Sequence, residues 1–86
     1  MNINDLIQII EKKLSQEFSI ENIKIEDKSF LHKKHKGFNE NKFHLKLTIA
    51  SRQLADLSRI ESNKKIFKIL NFELKEYIHS IQILIR

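Results

Sequence analysis

Apolar residues recur three or four positions apart at Ile3, Leu6, Ile7, Ile10 and Leu14, with Glu11, Lys12 and Gln16 off that line. This is the stripe of a helix with one face in a core. Asn2 can cap it, with Asp5 in its first turn. The pattern breaks around Phe18–Asn22, after which Ile23 and Ile25 alternate with Lys24 and Glu26 in a short strand ending at Asp27. A cleaner alternation follows at 43–49. Phe43, Leu45, Leu47 and Ile49 share one face, while His44, Lys46 and Thr48 share the other, so His44 reads as an exposed strand position. Beyond Ser51, RQLADLS reads as a turn or short helical piece. Ser58 then caps a helix, with Glu61 completing the capping box. That helix is expected to run to about Lys75 with Ile60, Ile66, Phe67, Ile69, Leu70 and Leu74 on its apolar face.

The last stretch, YIHSIQILIR, is a strand in which His79 has the parity of Ile81, Ile83 and Ile85. Ile78 and Leu84 add apolar residues at the other parity, which predicts a strand flanked on both sides. The order helix, strand, strand, helix, strand predicts a single α+β domain over residues 1–86. Its three-stranded sheet has the helices packed on one face.

Composition narrows the chemistry. With no cysteine, the chain offers no disulfide, thiol nucleophile or thiolate ligand. The net charge of +5 suits an anionic partner, although a lysine-rich surface also serves solubility alone. No secretory leader pattern and no stretch of membrane-spanning length stand out, so a cytoplasmic protein with no membrane association is expected. There is no glycine-rich phosphate loop, because Gly37 is the sole glycine, and no nucleophile motif organises the serines and histidines. An enzyme is not expected.

The chemically distinctive stretch lies between the first two strands. Lys28, Lys33, Lys34 and Lys36 surround His32 and His35 in a loop that must face water or a ligand. A His-x-x-His pair can bind a metal if its loop folds back. Spacing alone leaves a solvated loop as the simpler reading, and no carboxylate stands between Asp27 and Glu40 to complete a site. The lysines of the later helix, Lys64, Lys65 and Lys68 beside Arg59, read first as a solvated face and alternatively as a nucleic-acid stripe.

Taken in order, these segments resemble the BolA family over nearly the whole chain. The resemblance is carried by DKSFLHKKHKG at Asp27–Gly37, HLKLTIAS at His44–Ser51, the helix from Arg59 to Leu70, and IHSI at Ile78–Ile81. In the first, the family has an acidic residue, a serine, and a histidine or cysteine three residues after it. The second is similar to a His-Phe-x-Val strand ending in serine, and the last to Ile-His-Ala-Leu. There are departures. Leu45 and Leu54 stand where the family has phenylalanines, Asp56 replaces a turn glycine, and Ser62-Asn63-Lys64 replaces Arg-His-Arg.

The resemblance implies a small α-β-β-α-β domain that is class II KH-like. The RNA-gripping GXXG loop is missing, since Gly37 is followed by Phe-Asn-Glu. It further implies a partner, a monothiol glutaredoxin. With that protein and glutathione the chain would share a two-iron two-sulfur cluster, in cluster trafficking or in iron or redox sensing. By the family pattern the ligands would be His79 and, from the loop, His32, with His35 a close rival. Alone, the chain would carry no cofactor and be a monomer or weak homodimer. The alternative is a DNA-binding transcriptional regulator using Lys33, Lys34 and Lys36 with Lys64, Lys65 and Lys68, a role to which the Ser62-Asn63-Lys64 departure is unfavourable.

Overall fold

The structure, a computed structural model, describes residues 1–29 and 42–86. The elements are α1 (Ile3–Glu17), β1 (Asn22–Asp27), β2 (Phe43–Ala50), α2 (Arg52–Ala55), α3 (Arg59–Ile69), α4 (Asn71–Glu76) and β3 (Ile78–Ile85). The helix starts are those the sequence signals. Asn2 Oδ1 accepts from the Asp5 N–H at 2.8 Å, and Ser58 Oγ from the Glu61 N–H at 3.1 Å. Ser51 caps α2 by accepting from the Leu54 N–H, and its own hydroxyl donates to the Ser19 carbonyl at 2.7 Å. One serine thus ties the end of β2 to the chain leaving α1.

The sheet order is β1-β2-β3, with β2 antiparallel to β1 and parallel to β3. A parallel pair cannot be joined by a tight turn, and here α2, α3 and α4 make the crossover. The register sets one apolar face: Ile23 opposes Ile49, Ile25 opposes Leu47, and Leu45, Leu47 and Ile49 oppose Ile81, Ile83 and Ile85. These pack with Leu6, Ile10 and Leu14 of α1, Leu54 of α2, Ile66 of α3, and Leu70 between α3 and α4 in one core. The opposite face carries Lys24, Glu26, Lys46, Thr48 and Gln82. The expected α+β arrangement, a three-stranded sheet with its helices on one side, is the observed one.

Several local expectations are corrected. Among the described residues β3 is an edge strand, and the parity of Ser80, Gln82 and Leu84 carries two exposed residues and one half-buried one, so it is not covered on both sides. The helix expected to run unbroken to Lys75 turns at Leu70, whose φ of −94° and ψ of 14° separate α3 from α4. Backbone bonds bridge the turn, from the Leu70 N–H to the Ile66 carbonyl and from the Leu74 N–H to the Leu70 carbonyl. The inward line of α3 is Ser62, Ile66 and Leu70, not the apolar residues as a set. Ile60 lies on the opposite side and is 69% exposed, and Phe67 is 41% exposed. Ser62 can be buried because its hydroxyl donates to the Arg59 carbonyl at 3.1 Å.

The kink also delivers a carboxylate to the helix layer. Glu73 is 3% exposed, and both its oxygens accept from Lys13 Nζ, at 2.9 and 2.7 Å, joining α4 to α1. A buried carboxylate is tolerated only while it is paired. Because Lys13 remains partly exposed, water moderates the loss. Lys13→Met is expected to lower stability in urea denaturation by about 1–3 kcal/mol. The loss should shrink when Glu73→Gln is already present; an equal loss in both backgrounds would show that the pair is not its cause.

Candidate functional site

The pairing of β2 with β3 slips once, and the slip builds the site. Phe43 is opposite Ile78, but His44 is opposite Ser80, so His79 is an extra residue with no partner on β2. Such a bulge re-aims side chains locally. Ile78 is buried and Ile81 packs on the core, while His79 and Ser80 are both exposed. The parity that groups His79 with Ile81, Ile83 and Ile85 therefore does not hold through the bulge.

His79 meets a second imidazole. The rings of His44 and His79 have centroids 4.7 Å apart and are tilted by 45°. His44 Nδ1 lies 2.7 Å from Ser80 Oγ. Its backbone is held as well: the N–H donates to Ser29 Oγ at 3.0 Å, and the carbonyl accepts from the Lys28 N–H at 2.7 Å. Ser29 is fixed in turn by donating its N–H to Asp27 Oδ1 at 2.9 Å, a local turn of the kind aspartate favours. His44 is only 6% exposed, which corrects its reading as an exposed strand position. It sits on the helix-free face, but the chain leaving β1 and the start of β3 close around it.

Beside the pair an open cavity of about 450 Å³ is lined by Lys28, His44, Leu45, Lys46, Ser80, Ile81 and Gln82. Glu26 stands 3.4 Å from the Nζ of the lining residue Lys28 and 3.8 Å from Lys24 Nζ. Burial raises the Glu26 pKa, but the Lys28 hydrogen bond and the charges of Lys24, Lys28 and Lys46 outweigh it, holding the carboxyl below its ordinary value. Among the described residues, no group of three or more histidine, cysteine, aspartate or glutamate side chains gathers in a way that could hold a metal ion.

The candidate ligands and cations separate as follows. His79 is exposed at the bulge. His32 and His35, with Lys33, Lys34 and Lys36, lie outside the described residues. Lys64, Lys65 and Lys68 are exposed on α3. Of the Ser62-Asn63-Lys64 triplet, Ser62 is buried and Asn63 half-buried against a groove lined by Leu54, Leu57, Arg59 and Ile83, so only Lys64 is fully presented. Sequence reasoning missed His44 as a member of the site. Its alternation with Leu45 was visible, but the slip that brings His79 to the same side was not.

The family model described as BolA-like protein matches residues 14–86. The chain belongs to the BolA family. The match runs from the end of α1 through β3, and so takes in Asp27, Ser29, His44 and His79. Curated BolA relatives include the "DNA-binding transcriptional regulator BolA" of Haemophilus influenzae, 32% identical over 74 residues, covering 86% of this chain and 69% of that protein. The Vibrio cholerae protein of the same description is 33% identical over 75 residues, covering 87% and 68%. Among solved structures, the BolA domain of SufE1 from Arabidopsis thaliana superposes with a TM-score of 0.75 at 28% identity, over 92% of this chain and 87% of that one. BolA1 from the same plant reaches 0.74 at 22% identity with the same coverage, a likeness of fold. No helix among the described residues of this BolA-family chain is long and apolar enough to cross a membrane.

The lysine cluster around Glu26 yields a direct test. In a carboxyl NMR titration Glu26 should titrate below an ordinary glutamate, and Lys28→Ala should move its midpoint upward. Since the folded value is the lower one, the associated stability is complete above the unfolded-state pKa of about 4.3. It fades as the pH falls through the folded value. A Glu26 midpoint indifferent to Lys28→Ala would remove that lysine as a cause.

Proposed function

We propose that this BolA-family chain is a binding adaptor that pairs with a monothiol glutaredoxin and shares a two-iron two-sulfur cluster with it, in cluster trafficking or in iron or redox sensing. The observation that carries this reading is the exposed His79 imidazole, turned away from the core by the bulge and set against His44. The donor chemistry fits. A chain without cysteine can offer imidazole nitrogen, a competent ligand for iron. The described residues gather too few donors for a closed metal site, so a complete sphere needs ligands from elsewhere. Thiolates of a partner and of glutathione would supply them, with His32 or His35 as this chain's second contributor. When bound, the cluster supplies one-electron redox chemistry, and imidazole in place of thiolate raises its potential. The role of this chain is to present and orient nitrogen donors, not to turn over a substrate.

Copurification with a monothiol glutaredoxin, with visible absorbance read on the complex, tests the reading. His79→Ala should leave the isolated protein folded, because an exposed imidazole contributes little packing. It should alter the visible spectrum of the complex and make the cluster more labile. His32→Ala should act more mildly, and His32→Ala with His35→Ala should match His79→Ala. An unchanged spectrum together with a clearly lowered melting temperature for His79→Ala would make His79 a structural residue and sink the proposal.

A second reading, a DNA-binding transcriptional regulator, is favoured by the description its bacterial relatives carry and by the exposed Lys64, Lys65 and Lys68 of α3. Binding dominated by phosphate contacts would weaken steeply as salt rises. In gel shifts across a salt series, Lys64→Glu with Lys65→Glu should abolish such binding. Tight, sequence-selective binding at physiological salt that these changes remove would establish the regulator; weak, unselective binding would set it aside.

A further inference from the structure

We infer that His44 is the positioning residue for His79: a buried imidazole that holds the exposed one in a preset orientation, an inference that rests on His79 being a ligand. Three observations converge. His44 is buried on the face of the sheet that no helix covers, so packing in the main core does not account for its burial. Among the described residues it contacts Ser29 and Lys28 at the end of β1 and Ser80 and His79 at the bulge. The bulge also leaves His79 without a residue opposite it on β2, and the His44 ring stands 4.7 Å from its own.

An exposed histidine on an edge strand samples several staggered rotamers. A ring face held at 4.7 Å restricts that freedom before any partner arrives, and a preset donor binds with a smaller ordering cost. His44 can serve as a fixed wall because it is itself anchored on both sides of the strand. The Ser80 contact survives in either tautomer of His44, since a hydroxyl can donate or accept. This is the work that residues just outside a coordination sphere do when they orient ligating imidazoles, here through a ring face.

The test separates ring contact from polar anchoring. His44→Phe keeps an aromatic face beside His79 and loses the Ser80 contact, whereas His44→Gln keeps a polar group and loses the ring. In the wild-type protein alone, NMR should show cross-ring contacts between His44 and His79 and a single preferred χ1 for His79. Their absence overturns the inference without any variant. His44→Gln should make the His79 side chain average over rotamers, and in the glutaredoxin complex should hasten cluster loss to a chelator by about 10-fold. His44→Phe should retain most of the wild-type order and lability. Melting temperatures of the isolated variants control for folding. If His79→Ala changes the cluster spectrum while His44→Gln, folded, changes neither His79 order nor lability, His44 does not position His79 and the adaptor reading survives. If His79→Ala changes nothing, that reading fails and the inference falls with it.

Discussion

The structure turns on the parallel pairing of β2 with β3 and its single slip between Phe43 and His44. Parallel pairing demands a crossover, and the crossover supplies α2, α3 and α4, which close the core over the inner face of the sheet. Above the slip, the buried Leu45, Leu47 and Ile49 match Ile81, Ile83 and Ile85, of which Ile83 is buried and the other two are half-buried against the core. Below it, Ile78 still reaches the core, and the residue between is released outward. An unslipped strand would have to choose between burying Ile78 and burying Ile81, because alternate residues point to opposite faces. The bulge lets Ile78 be buried and Ile81 pack against the core, and leaves His79 and Ser80 exposed between them.

Much of the fold was legible for a simple reason: where one face is buried, the period of apolar residues reports it. Leu6, Ile10 and Leu14 and the alternation through β2 needed nothing but spacing, and Asn2 and Ser58 cap the helices they announce. What spacing misread was α3. Ile60 and Phe67 were counted inward for their hydrophobicity, while Ser62 holds the inward position because it satisfies its hydroxyl within its own turn. The Leu70 kink was hidden too, since α4 continues the apolar periodicity and its partner, Lys13, is far off in sequence.

The candidate site was legible in its chemistry but not in its grouping. A cysteine-free chain with four histidines directs attention to imidazole. The family pattern singled out His79, yet no local rule places it against His44, because that contact depends on a register slip between segments joined only by tertiary structure. Asp27 and Ser29, which enter the sequence comparison merely as an acidic residue and a serine, acquire a physical role. Together they pin the backbone of His44 from the side of the chain leaving β1.

That arrangement has a consequence for the order in which the molecule is made. His44 and Ser80 stand 36 residues apart, with the whole helical crossover between them. Neither half-chain can assemble the imidazole pair, and closing so long a loop comes late compared with forming local helices. The paired rings therefore report that β2 and β3 are in register. A ribosome-bound chain that has released α1, β1 and β2 already holds Asp27, Ser29 and His44, but has no site to offer until β3 has been synthesised and laid in register. A partner that reads both rings would therefore require β3 to be laid in register beside β2.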